Sequence, residues 1–430
     1  MLSAKIKKVM RQFYRHFRIL GQVSVSEKTR KEKREYAKGE SLLKILVWSF
    51  FLLHGSPLQA QCEQKDVVDC AKDVLKINSC EKPDSLKLAP HKVFYSVLPG
   101  VGYKLVTRLS AVASINAAFY LGRIHDTYLS SVSTYSEYSF RNHQIIIPII
   151  SNIWTNGNGF NWQGDLRYYK YPTYTYGLGG NSAIANTDKV DYSYYRIYQE
   201  VLKKIRSSFY AGLGYNLDYH QKIKDQGIGD FQSYTNGATS TNSSGLVLHF
   251  LFDKRQNINN PPLGYYASFS YRSNFRFLGS DQNWQSLILD CRKYIKLPFG
   301  SENILAFWSY DWFTFGGKVP YFDLPSTGWD TYSNMGREYI QGRLRGTSLV
   351  YLEAEYRFRI TRNGLLGGVV FANAQSVPDY PAGRFETVLP GGGVGLRVKV
   401  NTLSRANLGI DYGLGIEGSP GIFFHLCEIF

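Results

Sequence analysis

Residues 347–360 alternate without a break. Val350, Leu352, Ala354, Tyr356, Phe358 and Ile360 fall on one face, and Tyr351, Glu353, Glu355, Arg357 and Arg359 on the other. A period of two over this length specifies a strand. A soluble sandwich turns its apolar face inward and scatters charge outside. Here a wholly apolar face backs onto a row of mixed acids and bases, which suits lipid on one side and a wet, charged interior on the other.

From residue 93 the same signature recurs sixteen times, from 93–103 to 421–430. Most candidate strands run 10–15 residues, longer than the usual soluble strand of about 5–6 and enough for a tilted membrane strand of about 9–11. In 107–121, Leu109, Ala111, Ala113, Ile115, Ala117, Phe119 and Leu121 oppose polar residues. The stretches 207–220 and 264–277 behave alike, setting Asp218 and Arg272 against apolar rows. The pattern blurs in 144–155 and fails in 190–205, a counted strand for which a partly helical stretch near 199–204 is the alternative.

Connection lengths test this count independently. The long ones, 172–189, 221–242, 316–346 and 378–390, follow strands 5, 7, 11 and 13, all odd. Connections after even strands are short. Outer-membrane barrels keep short turns on the periplasmic side and long loops outside, and a wrong count would scramble the parity. The reading is all-β: a 16-stranded antiparallel transmembrane β-barrel over residues 93–430.

Composition agrees. Tyr numbers 33 against 3 Met, and aromatics are 15% of the chain, as expected of interfacial girdles. No window of about 18 uncharged apolar residues occurs, so no ordinary helical span is expected. The formal charge of +16 is concentrated at the start: residues 1–44 carry 13 Lys or Arg against 4 Glu. It therefore does not point to nucleic acid.

Residues 1–60 read as a secretory signal with a long basic region, an apolar core from Ser41 and a cleavable end at Ala60. Retention of the run as an anchor and lipidation of Cys62 are the alternatives. Residues 61–92 form a short periplasmic segment. Cys62, Cys70 and Cys80 cluster there without zinc spacing, and an oxidising periplasm permits one disulfide among them.

By alternation, Glu353, Glu355, Arg357, Arg359, Arg397, Lys399 and Asp411 face the lumen. Gly391–Gly395 and Gly177–Gly180 do not sit between a buried strand and a helix, as phosphate loops do. They read as small residues easing curvature or turns. His220 near Asp218 and His249 near Asp253 lack a nucleophile motif and read as wall residues. No enzyme, cofactor or metal site is expected.

The segment "MGREYIQGRLRGTSLVYLEAEYRF" resembles the sixth extracellular loop and following strand of the BamA/TamA-like surface-antigen barrels. The likeness continues through "GLLGGVVFANAQ", "GGGVGLRVKV", "NLGIDYGLG" and "GIFFHLCEIF". Arg337 and Tyr339 match the loop's Arg-Gly-aromatic core, while Glu338 stands where that family has Gly. The resemblance implies a loop between strands 11 and 12 folded back into the lumen. On the returning loop, Arg337 is expected to meet Glu355 or Asp411 and lock the loop, since a guanidinium forks onto a carboxylate. Gly421, Phe424, Leu426 and Phe430 belong to a terminal strand resembling the sorting signal of outer-membrane barrels.

The resemblance further implies a role in assembling or translocating proteins at the outer membrane of a Gram-negative cell. Implied partners are membrane lipid, client barrel proteins and a periplasmic protein standing in for the modules this chain lacks before its barrel. A porin-like channel for small polar solutes is the main alternative, and a surface-exposed structural protein the third.

Overall fold

A computed structural model describes residues 93–104, 108–140, 143–225, 230–298, 302–402, 405–416 and 420–430. The expected signal and the segment with Cys62, Cys70 and Cys80 lie outside the described residues.

Sixteen long strands form the wall: β1 (Val93–Lys104), β2 (Arg108–Phe119), β3 (Ser130–Ser139), β4 (Ile145–Trp154), β5 (Phe160–Lys170), β6 (Asp188–Arg206), β7 (Phe209–Lys224), β8 (Ser240–Asp253), β9 (Gly264–Asn274), β10 (Trp284–Lys296), β11 (Ile304–Phe315), β12 (Ser348–Arg359), β13 (Leu366–Ser376), β14 (Leu389–Asn401), β15 (Ala406–Gly415) and β16 (Pro420–Leu426). Each pairs antiparallel with the next in sequence, and β16 lies beside β1. A three-residue strand, Thr173–Thr175, pairs with the start of β6, and a short helix, α1 (Asp230–Thr235), sits in the β7–β8 connection.

The wall is inside out relative to a soluble protein. In β12 the buried side chains are Leu349, Tyr351, Glu353, Glu355 and Arg357, whereas Leu352 between them is 54% exposed. Leu213 on β7 is 70% exposed, while its neighbours Asn216, Asp218 and His220 are buried. An outward apolar face and an inward polar one suit a wall in lipid, and each strand is laddered to its neighbours in sequence, while β16 only lies beside β1.

Three expectations need correction. β6 is one strand of 19 residues, with no helix near 199–204. Its alternation fades because its periplasmic end, carrying Lys203, Lys204 and Arg206, runs past the apolar band, where both faces meet water. The connections 120–129 and 254–263, after even strands, are ten residues each rather than short turns, although the longest connections still follow odd strands. The last strand ends at Leu426, not Phe430. Ile422, Phe424 and Leu426 are exposed on the outer face, and Gly421 is buried. Cys427 then takes φ +67, the chain turns, and Phe430 is buried.

Candidate functional site: the loop in the lumen

The connection 316–347 between β11 and β12 enters the barrel and is gripped on two sides. Its tip is shaped by Gly336, whose φ of +64 suits a residue without Cβ. The Tyr339 amide closes the turn onto the Gly336 carbonyl at 2.8 Å. The turn therefore does not depend on a glycine at 338.

Arg337 projects from this tip into a cluster of carboxylates on β12 and β15. Its guanidinium donates to Glu353, Glu355 and, at 2.5 Å, to Asp411, all buried. The guanidinium also stacks 3.7 Å from the Phe371 ring centre on β13. Burial opposes the charge, but the three carboxylates outweigh it and hold Arg337 protonated. The pairing continues along the wall. Arg357 donates to the second oxygen of Glu355 at 2.7 Å, Arg397 to Asp411 and to Glu428 at 2.9 Å, and His425 lies 3.2 Å from Asp411. Removing one member of such a buried set strands the others, at a cost of about 3–5 kcal/mol.

Tyr339 anchors the same tip through its hydroxyl, which donates to the Pro390 carbonyl at 2.6 Å and accepts from the Ile416 amide at 3.1 Å. Glu338 is buried, and its carboxylate accepts from Asn373 at 3.0 Å. Burial pushes this carboxyl above its ordinary range. The tip fits because the facing wall has no side chains there. A Cβ on Gly391 would lie 2.2 Å from Glu338 Oε1, on Gly413 2.8 Å from Glu338 Cβ, and on Gly415 2.7 Å from the Tyr339 ring. The glycine run is a seat for the loop, a role that sequence alone had reduced to curvature.

Arg359 and Lys399 stand apart from this cluster. Arg359 is 3.7 Å from Glu302 near the periplasmic rim, and Lys399 lies beside Gly364 in the β12–β13 turn.

The loop's first half is held by the opposite wall, which sequence reasoning passed over. Phe322 packs against Tyr192 with ring centres 4.2 Å apart, and Asp323 accepts from Ser243 on β8 at 2.5 Å. Arg167 on β5 donates to the Thr331 carbonyl at 2.6 Å. Behind these contacts Asp165, Arg167, Arg196, Asp218 and Arg272 form a second ion-paired ladder on β5–β9. The available signal is clearest for Asp218 and Arg272, each a charge on the non-apolar face of an alternating strand, while Arg196 lies where the alternation fails. His220 stacks on Tyr194 at 4.4 Å, and His249 bonds Glu200 at 2.6 Å and Ser268 at 2.9 Å.

Two further features close the interior. On the outer side, Arg343 donates to Ser182 at 2.8 Å, Gly179 to the Arg345 carbonyl at 2.8 Å, and Asn181 to the Tyr380 carbonyl at 3.2 Å, knitting three long loops together. At the other end, residues Cys427–Phe430 fold inward. Phe430 stacks on Trp308 with centres 5.2 Å apart, and its carbonyl accepts from Arg357 at 2.9 Å. Among the described residues no group of three or more His, Cys, Asp or Glu has the geometry to hold a metal.

Residues 129–420 match the sequence model of the Omp85 superfamily domain. Among solved structures the chain is similar to BamA from Haemophilus ducreyi lacking POTRA domains 1–3, with 16% identity, a TM-score of 0.50, and coverage of 78% of this chain and 70% of that one. It is also similar to CdiB from Acinetobacter baumannii, with 13% identity, a TM-score of 0.51, and coverage of 78% and 59%. The chain thus spans about three fifths of the CdiB structure's length. No curated protein sequence matches.

Proposed function

The chain belongs to the Omp85 superfamily as an outer-membrane β-barrel, and from that premise we propose that it assembles or translocates other proteins at the outer membrane. The observation carrying this reading is the two-sided grip on the lumen loop. A porin needs an open aqueous path. Here Arg337 and Tyr339 pin the loop to β12–β15, Arg167 and Ser243 pin it to β5–β8, and the outer loops are bonded over it. That arrangement supports a closed, shaped barrel and argues against free solute flow.

In this reading the salt-bridged loop is a lock that holds the wall's shape while the seam works. β1 offers twelve laddered residues, whereas β16 pairs with β15 over only seven, Leu408–Leu414 against Pro420–Leu426. The unequal edges support strand addition, in which an extended client segment lengthens an exposed sheet edge. The outer face contacts lipid. Client barrels and a periplasmic partner that delivers them are the proposed protein partners.

Depletion followed by outer-membrane proteomics tests the proposal. Loss of other barrels, or of one secreted client, is the expected result. Unchanged barrels and clients together with steady porin-like conductance in planar bilayers would establish the solute channel instead.

A further inference from the structure

The outer face of β4–β7 is graded. Its lower part is apolar, with Ile149, Leu166 and Ile197 exposed in one register row. Above these runs a row of tyrosines in register, Tyr168 opposite Tyr195 and Tyr195 opposite Tyr219. Their ring centres are 5.1 and 6.2 Å apart. Amphipathic rings at one level mark the boundary between acyl chains and headgroups. Beyond them, toward the long-loop side, come exposed His143, Lys170, Lys189, Lys222 and Lys224. Lys170 lies two residues past Tyr168 on the same face, about 7 Å further out at the rise of a strand. The lysines are therefore level with lipid headgroups.

Their charge is not neutralised as the lumen's is. Every lumen arginine described above is paired, whereas among the described residues these four lysines make no ion pair. The acids of this rim are Asp191, Asp225 and the buried Asp188 beside Lys189. A cleft of about 290 Å³ opens among them, lined by His143, Lys170, Thr173, Tyr174, Lys189 and Asp191. The Tyr138 hydroxyl bonds His143 Nδ1 at 2.7 Å and fixes that ring at the mouth.

We propose that this rim is a binding site for the phosphate groups of a phosphorylated glycolipid in the outer leaflet. Lysine ammonium groups recognise phosphate oxygens as charge-assisted donors. The tyrosine row and apolar wall directly below suit the acyl chains of the same molecule, which a free phosphate does not need. The site would tether the β4–β7 sector, on the β1 side of the seam, to the outer leaflet.

The test is lipid binding by the full chain in detergent, read by native mass spectrometry. The probes are bis-phosphorylated lipid A, its fully dephosphorylated form and inorganic phosphate. The variant is Lys170→Gln/Lys189→Gln/Lys224→Gln, at exposed positions. Binding of the phosphorylated form, about tenfold weaker for the dephosphorylated form and about tenfold weaker in the variant, is expected. Equal binding of both lipids by the unaltered protein overturns the proposal without any variant, as does undiminished binding by the folded variant. Complete displacement by millimolar inorganic phosphate would make it a free-phosphate site and overturn the lipid assignment.

Discussion

Asn334 of the lumen loop donates its side-chain amide to the backbone carbonyl of Ile429 at 2.7 Å. The loop and the end of the chain therefore meet inside the barrel, beside the point where Arg357 holds the Phe430 carbonyl. The inward turn at Cys427 and the position of the loop are parts of one arrangement. Asn334→Ala is expected to cost about 1 kcal/mol, and Phe430→Ala about 3–5 kcal/mol through the space left against Trp308 and Tyr294. Because they share an assembly, the double variant should fall short of the sum by at least about 0.5 kcal/mol. Unfolding curves in detergent, followed by tryptophan fluorescence, give all three values. Strict additivity would show that tail and loop are held independently.

Arg337 is the single cation from the loop to reach Glu353, Glu355 and Asp411. Arg337→Lys keeps the charge but loses the planar fork that serves three acceptors at once. We expect it to lose most of the stabilisation, with Arg337→Ala costing about 3–5 kcal/mol. Heat-modifiable gel mobility, which separates folded from unfolded barrel, should show unfolding at lower temperature for both. A lysine variant as resistant as the parent would mean that charge alone, without geometry, holds the tip.

Gly413 faces the loop backbone, so Gly413→Ala sets a methyl 2.8 Å from Glu338 Cβ. Overpacking of this kind costs about 1–3 kcal/mol, and the loop is the more yielding partner. The expected outcome is a tip displaced from the wall. A cysteine placed at Tyr339 would then label faster with a maleimide in the Gly413→Ala background than in its absence. Equal labelling rates would show that the wall, not the loop, gives way.

Much of the barrel was legible in the sequence because each strand's evidence is local. The step from Leu352 to Glu353 already states which side is lipid and which is lumen. Parity of the longest loops supports the count, and the family resemblance over residues 335–358 implies the loop folded into the lumen. Contacts between distant segments were harder to read. Arg337 is expected from sequence to find one late-strand carboxylate, but it takes three, because Glu353 and Glu355 come from β12 and Asp411 from β15, which no local pattern brings together. The inward turn of Cys427–Phe430 overrides an apolar spacing that looks like a continuing strand, since Arg357, Asn334 and Trp308 supply partners no local pattern reveals. Gly391 reads from sequence as easing curvature, and nothing local singles out Gly413 or Gly415, whereas what matters is the side chain each lacks. The extended end of β6 looked helical because period two vanishes once both faces are wet.

Asp323, in the first half of the loop, is buried 2.5 Å from its donor Ser243 and 3.9 Å from His220. Burial, reinforced by nearby Asp218, pushes its carboxyl up to about 7. A carboxyl raised in the folded state favours folding fully below its ordinary pKa of about 4 and loses that contribution as pH climbs to about 7. The barrel should therefore melt at a higher temperature at pH 5 than at pH 8. Asp323→Asn keeps an acceptor for Ser243 and removes the titration, so it should narrow that difference, chiefly by raising the pH 8 value. Melting temperatures of parent and variant at the two pH values decide it. A difference of unchanged size in the variant would assign the pH response to other groups and leave Asp323 ionised in its seat.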